Sequence, residues 1–307
     1  MRTSCILRSL LFHRPAYSRS RRGVLCVLAL TGVLIAAQGR QVVAQESTES
    51  LAAAAQNPIA SMSSLPFQNN TYFGAGPNHD KTANVLNIQP VLPFSAGEWN
   101  IISRTIMPLI YVPSISAGLG ATGLGENTTA AGAGPRGVPE TFGLGDINQT
   151  FYFSPAAPSE FIWGVGPSVN LPTATSSVIG SGKLSVGPAA VGLVTPKPWV
   201  IGLLARQLFS IAGPTGRTDV NQTLLQPFVN YNLPDGWYLS SSPVITANWS
   251  AASSQRWSVP IGGGGGKIFK IGGQPINASL QAFNYVERPA AGPNWALRFQ
   301  VQLLFPR

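Results

Sequence analysis

The sequence predicts an all-β protein, a single antiparallel transmembrane β-barrel of about twelve strands, with ten to fourteen compatible with the pattern. Three observations carry that prediction. Apolar side chains recur at every second position in stretch after stretch, the period of a strand with one greasy face. Charged residues make up only 10% of the chain, against about 25% in ordinary soluble domains, so much of its surface faces something other than water. The connections between the alternating stretches are short and long by turns, which sorts them onto two ends.

The 307 residues carry a formal net charge of +9, which in another distribution would suggest nucleic-acid binding. Seven of the 20 basic residues, Arg2, Arg8, Arg14, Arg19, Arg21, Arg22 and Arg40, precede the first acid, Glu46. Beyond residue 44 the chain holds 13 basic and 11 acidic residues, so the excess belongs to the leader and no nucleic-acid partner is expected. Residues 1–22 form a basic segment, and residues 23–37 an apolar run shorter than the roughly 20 residues of a membrane helix. Residues 1–44 therefore read as a signal peptide, with Val42 and Ala44 as the small residues of the cleavage site and Gln45 as the new N-terminus. A cut near Ala36 or Ala37 is also compatible, and Arg21-Arg22 resembles a twin-arginine signal, although the general secretory route suits a barrel better. Cys5 and Cys26 both lie in this leader, so the processed chain carries no thiol, disulfide or Cys-ligated metal.

Residues 45–60 form a leader segment or a short helix, with Ser47, Thr48 and Glu49 preceding Leu51 to Ala55. The barrel occupies 61–307. No stretch in it offers 18 consecutive apolar residues, which excludes membrane helices there. Phe161, Trp163, Val165, Pro167, Val169 and Leu171 alternate with Gly164, Gly166, Ser168 and Asn170. Thr223, Leu225, Pro227, Val229 and Tyr231 alternate with Gln222, Gln226, Asn230 and Asn232. Trp237, Leu239, Ile245, Ala247 and Trp249 oppose Tyr238, Ser240, Ser242, Thr246 and Asn248, and Leu297, Phe299, Val301, Leu303 and Phe305 oppose Arg298, Gln300 and Gln302.

Twelve strands are predicted at 61–74, 83–94, 98–112, 141–154, 160–172, 183–195, 198–211, 220–233, 236–249, 255–270, 274–287 and 294–305. Five joins are tight, at 95–97, 155–159, 196–197, 234–235 and 272–273. The others, at 76–81, 113–140, 173–182, 212–219, 250–254 and 288–293, are mostly longer and rich in Gly, Pro, Ser, Thr, Ala and Asn. A soluble sandwich has no reason to sort its loops this way; a barrel with short periplasmic turns and longer extracellular loops does. Lipid satisfies no backbone N–H or C=O, so a sheet that spans it must close. Trp99, Phe161, Trp163, Trp199, Trp237 and Tyr238 begin strands just after tight turns and predict a periplasmic aromatic girdle.

Several segments resemble a family of Gram-negative outer-membrane β-barrels regarded as transporters and related to the phenol meta-pathway barrel group. They are Leu65-Pro-Phe-Gln-Asn-Asn70, Val85-Leu-Asn-Ile-Gln-Pro-Val91, Phe142-Gly-Leu-Gly-Asp146, Ile162-Trp-Gly-Val-Gly-Pro167, Leu171-Pro-Thr-Ala-Thr175, Leu225-Gln-Pro-Phe-Val-Asn-Tyr-Asn232 and Pro234-Asp-Gly-Trp-Tyr238. The resemblance runs from about Asn57 to Arg307 and implies an outer-membrane location and a transport role, with no catalytic residues to carry over. The chain departs from the usual barrel ending, since Phe305 is followed by Pro306 and Arg307, which displaces the terminal aromatic read by the barrel-insertion machinery.

Enzyme chemistry finds little footing. The processed chain has one histidine, His79, beside Asp80 in a loop, and no serine stands in a nucleophile motif with it. One His without Cys makes no zinc site, and Glu126, Glu140 and Asp146 lack calcium-loop spacing, so no metal is expected. Gly262 to Gly266 before Lys267 fails as a phosphate loop because Ile261 and Ile268 occupy required Gly and Ser/Thr positions; within a strand it predicts a sharply curved wall.

Charge facing lipid at the midplane costs about 2–4 kcal/mol, so strand charges belong in the lumen or at the rims. The lumen-lining candidates are Arg104, Asp146, Lys183, Arg206, Gln226, Asn230, Tyr238, Arg256, Gln281 and Arg298, with Glu287 as a further acid. They predict a narrow, polar, mildly cation-repelling lumen that gives small solutes a passive path, gated by loop 113–140 and needing no cofactor. The expected partners are outer-membrane lipid, the insertion machinery and a small solute. A closed structural or adhesion barrel and an outer-membrane lipase are the alternatives.

Overall fold

The computed structural model describes residues 48–114, 120–122, 129–132 and 139–306. Helix α1 (Thr48–Gln56) precedes twelve antiparallel barrel strands. These are β1 (Ser63–Ala75), β2 in two segments (Lys81–Ile88 and Val91–Ala96), β3 (Trp99–Val112), β4 in two segments (Thr141–Leu144 and Ile147–Pro155), β5 (Phe161–Leu171) and β6 (Leu184–Val194). They continue as β7 (Trp199–Ala212), β8 (Asn221–Asn232), β9 in two segments (Trp237–Ser241 and Ile245–Asn248), β10 (Trp257–Ile271), β11 (Gln274–Glu287) and β12 (Trp295–Phe305). Each strand pairs with the next, and β1 pairs with β12 from Ser63↔Phe305 to Phe73↔Trp295, so the ladder is closed. Each predicted strand range coincides with one of these twelve to within a few residues. In the β3–β4 loop a small hairpin pairs Gly120 with Gly132 and Thr122 with Thr129.

Alternation decides which side chains meet lipid. Phe67, Phe151, Phe153, Ile201, Leu203, Val229, Leu239, Leu280 and Phe299 stand exposed on the outer face. No helix among the described residues is long and apolar enough to cross a membrane, so the strands make the crossing. Trp99, Trp199 and Trp237 are exposed at the short-turn end, where Trp99 meets Trp163 edge to face at 6.1 Å and Trp199 meets Tyr231 at 4.7 Å. Tyr238 does not belong to this girdle: adjacent to Trp237 on the strand, it points inward and is buried. A second aromatic set marks the long-loop end, with Phe73 stacked on Trp295 at 4.0 Å and Trp249 against Trp257 at 5.8 Å.

The polar side chains that do face outward satisfy one another. Gln149 donates to Ser103 Oγ (2.9 Å) and accepts from Thr105 Oγ1 (2.6 Å), and Asn84 donates to Thr71 Oγ1 (3.0 Å). Lipid offers them no partner, so neighbours on adjacent strands do.

The inward face is divided. On β3 and β6–β8 it carries an apolar cluster, in which Ile102, Ala189, Val191, Leu193, Val200, Leu204, Leu224 and Phe228 pack with Tyr152 of β4 and with Ile59 of the segment after α1, while Asn148, Thr150, Ser154, Ser168 and Asn170 keep the inward face of β4 and β5 polar. The expected polar lumen is therefore interrupted by this cluster, to which the segment after α1 gives an apolar partner. Helix α1 is Ala-rich, with good helix propensity, and buries Leu51 and Ala52 on Tyr238, Ile268 and Leu304 at the short-turn end. Gln56 at its end donates to Asn232 Oδ1 on β8 (2.8 Å).

The glycine run of β10 is part of the wall. A Cβ on Gly266 would stand 2.4 Å from the Tyr238 ring, so the glycine leaves space for an inward aromatic. Gly266→Val is expected to destabilise the barrel by about 1–3 kcal/mol through this overlap. The check is a lower temperature for loss of the compact, heat-modifiable band in denaturing gels, relative to wild type.

Candidate functional site

The polar side of the lumen encloses a cavity of about 160 Å³. Its wall is built from inward positions of β1, β2, β3, β7, β8, β9, β11 and β12, and its floor from Ala54 to Pro58, Ala60 and Met62 at the end of α1 and beyond. The described residues on its lining include two arginines, Arg104 and Arg298, and neither Asp nor Glu.

Two interruptions of the wall shape it. Pro90 and Pro243 cannot donate to a ladder, and β2 and β9 break beside them. At the first break Gln89 turns inward and accepts from Arg104 Nη2 (2.8 Å). At the second, the Ser242 carbonyl accepts from Arg298 Nη1 (2.8 Å), and the Ser242 hydroxyl donates to Gln281 Oε1 (3.0 Å). Gln68 connects the two sites: it accepts from Gln89 (3.5 Å) and from Asn70 Nδ2 (3.3 Å), and Asn70 Oδ1 accepts from Arg298 Nε (2.9 Å). Below this chain the Tyr238 hydroxyl donates to Asn277 Oδ1 (2.7 Å), and Asn277 Nδ2 donates to Gln302 Oε1 (3.0 Å). The lining thus combines a hydrogen-bonded set of neutral amides and hydroxyls, two cations, and apolar side chains that include Val91, Leu204 and Phe228.

Of the residues proposed from the sequence, Arg104, Gln226, Asn230, Tyr238, Gln281 and Arg298 are brought together on this lining. Arg206 points inward and is buried, but on β7 outside the cavity. Asp146 and Lys183 are buried at the long-loop end of the barrel, outside this cavity, and Arg256 stands at the rim rather than on the lumen wall. Arg256 sits beyond the end of β9, its guanidinium 5.0 Å over the Trp249 ring, because the turn Ser253–Gln255 carries it to the rim. The cavity lining also includes Gln68, Gln89, Ser242, Asn277 and Gln302, which sequence reasoning did not single out; Pro90 and Pro243 inside predicted strands were the signal for two of them.

Asp146 and Lys183 hold the opposite end. Asp146 is fully buried in the break of β4, where its carboxylate accepts from the Ser181 amide and hydroxyl (both 2.7 Å) and from the Ala174 amide (3.2 Å). Residues 173–183 are thereby drawn into the barrel mouth, with Ile179 buried against Val85, Ile110 and Val112. Arg217 from the β7–β8 loop clamps the same segment, donating to the carbonyls of Ser181 (3.0 Å), Ser177 (2.9 Å) and Gly180. Lys183 Nζ pairs with Asp219 at 3.0 Å. The loop folded inward here is 173–183; the proposed gate, 113–140, lies outside the described residues except for its ends and the small hairpin.

His79 offers no dyad. Its Nδ1 lies 2.9 Å from the Gly74 carbonyl and its Nε2 3.4 Å from Arg288 Nη1, with no serine hydroxyl bonded to it among the described residues. No cluster of three or more potential metal ligands occurs among those residues.

No protein-family model and no curated protein matches the sequence, so the likeness to the phenol meta-pathway group rests on the short segments quoted above. The fold is more informative. An outer-membrane channel from Pseudomonas putida F1 superposes with a TM-score of 0.55 at 15% identity, covering 80% of this chain and 94% of that one. The fold is that of an outer-membrane β-barrel. Outer membrane phospholipase A from Escherichia coli (TM-score 0.39, 10% identity, 80% and 96% covered) and the β domain of the Bordetella autotransporter BrkA (0.40, 12%, 80% and 100%) match more loosely.

The hydrogen bond from the Lys183 ammonium, then that from the Ser210 hydroxyl, hold Asp219 below the ordinary aspartate range. A depressed folded-state pKa contributes stability above the unfolded value, about 3.9, and loses it as pH falls through the folded value. Protease cutting within 173–183 is therefore expected to rise only below about pH 4 in wild type. Asp219→Asn should raise cutting modestly at neutral pH and so blunt that acid step, while Arg217→Ala should raise cutting at every pH.

Proposed function

We propose that the protein is an outer-membrane channel that gives small solutes a passive path through the polar side of its lumen. One observation supports this above the others. A water-accessible cavity sits inside the closed wall, and its floor is α1 and the segment after it, which join no strand ladder and are held by side-chain packing and by side-chain hydrogen bonds such as Gln56 to Asn232 on β8 and Asn100 to Ser61. A twelve-stranded barrel is intermediate between small filled barrels and wide aqueous pores, so a partly filled lumen is the size-appropriate outcome. Diffusion needs no cofactor and no catalytic residue; selectivity comes from the width of the cavity and the charges on it. Lipid at the outer face, the insertion machinery and a small solute are the partners this reading requires. The likeness to the Pseudomonas channel in fold agrees with it.

The apolar packing on β3 and β6–β8 and the infolded 173–183 segment favour a second reading, a closed barrel that presents its loops. Planar-bilayer recording separates the two. The channel reading expects small discrete currents from the wild-type protein and a several-fold larger unit conductance when residues 48–60 are deleted or when Leu51→Asp undocks α1. Absence of current from all three, together with no solute uptake in liposomes, would overturn the channel and leave the closed barrel.

A further inference from the structure

Arg298 is buried to 7% exposure between the main cavity and a smaller one lined by Tyr72, Val244, Phe283 and Tyr285. Its neighbours are neutral. Nε donates to Asn70 Oδ1 (2.9 Å), and Nη1 donates to the Ser242 carbonyl (2.8 Å) and hydroxyl (3.3 Å). The Phe283 ring lies 4.8 Å beneath the guanidinium. Nη2 has no hydrogen-bond partner among the described residues, and no described carboxylate pairs with the side chain. The bond to Ser242 has a structural purpose, because the β9 ladder is interrupted there and leaves that carbonyl without a strand partner. A neutral donor would serve it as well; it does not explain a full positive charge.

A cation withdrawn from water without a counter-charge is unfavourable, and hydrogen bonds to neutral acceptors offset only part of the loss. Low-dielectric walls also focus the field of such a charge into the lumen. The lining also carries Leu204, Phe228, Met62 and Val91 as apolar surface, while Gln226 and Ser279 supply further neutral donors. A volume of about 160 Å³ is close to that of a cavity known to admit one benzene-sized molecule, about 150 Å³.

We infer that the cavity is a binding site for a small organic anion, a monocarboxylate with an apolar body of about ring size, whose carboxylate rests on Arg298. This deepens the channel reading and rests on it for the solute's route, though not for the binding itself. The guanidinium presents Nη2 to the carboxylate, and the apolar wall receives the body of the solute.

The test uses the full chain in detergent with cyclohexanecarboxylate and its neutral amide, measured by calorimetry. In parallel, the reversal potential under a KCl gradient is recorded in planar bilayers. The acid is expected to bind and the amide to bind at least tenfold more weakly, since a charge-assisted hydrogen bond is about twice as strong as a neutral one. Arg298→Gln should weaken the acid by about tenfold and move the reversal potential from the anion side toward zero. Arg298→Lys should keep most of the anion preference, and heat modifiability confirms that each variant is folded. Equal affinity for acid and amide, no binding of either, or an unchanged acid affinity in folded Arg298→Gln overturns the site. If Arg298→Gln does not fold, the comparison of acid with amide on wild type still decides. Binding of the acid without any conductance sinks the channel and keeps the site; conductance with neither binding nor anion preference does the reverse.

Discussion

Hydrogen bonding of the backbone in a medium without water is the constraint from which the rest of this structure follows. Each buried amide and carbonyl left without a partner would cost several kcal/mol in hydrocarbon, and a strand edge carries a whole row of them. Pairing β1 with β12 along eleven residues removes both edges at once. Closure then forces every strand to have an inside and an outside, and the alternation of side chains becomes a partition between lipid and lumen. Where the ladder is interrupted, at Gln89–Pro90 and around Pro243, side chains and displaced backbone bonds take over: Gln89 N–H reaches the Pro66 carbonyl at 2.9 Å, and Arg298 reaches Ser242.

Closure also creates an interior that must be filled or wetted. Twelve strands enclose more space than their own inward side chains occupy, and the chain answers in two ways. Residues 48–60 enter the short-turn mouth, where Ile59 gives the inward Val, Leu and Phe of β6–β8 an apolar partner and α1 packs on Tyr238, Ile268 and Leu304. The 173–183 segment does the same at the other mouth, pinned by the buried Asp146 carboxylate and by Arg217. What remains between them, along β1, β2, β3, β7, β8, β9, β11 and β12, is lined by amides, hydroxyls, two guanidinium groups and a few apolar side chains.

Much of the wall was legible because its cause is local. Period two in Phe161 to Leu171 or Leu297 to Phe305 reflects only which side of a pleat a residue occupies, and the order of short and long joins reflects only the antiparallel path. Both survive any detail of packing. The lumen was legible in part: Gln226, Asn230, Tyr238, Gln281 and Arg298 follow from inward parity, whereas Arg256 was misplaced because a single turn, Ser253–Gln255, carries it out of the strand. Asp146 and Lys183 are buried as well, but at a strand break and a strand end, where parity does not say which neighbours they meet. The double-sided apolar character of β3 and β6 pointed inward as well as outward, but its partner, Ile59, is distant in the chain.

By itself the sequence determined the class of fold, the positions of twelve strands and the face each side chain takes, because lipid selects apolar residues one position at a time and leaves that selection written in the spacing. Only the tertiary structure decided that residues 48–60 enter the barrel, that 173–183 folds inward, and that Arg104 and Arg298 share one cavity through Gln89, Gln68 and Asn70. Those outcomes depend on registers between strands far apart in the chain and on the volume that closure encloses. Neither quantity belongs to any local stretch of residues.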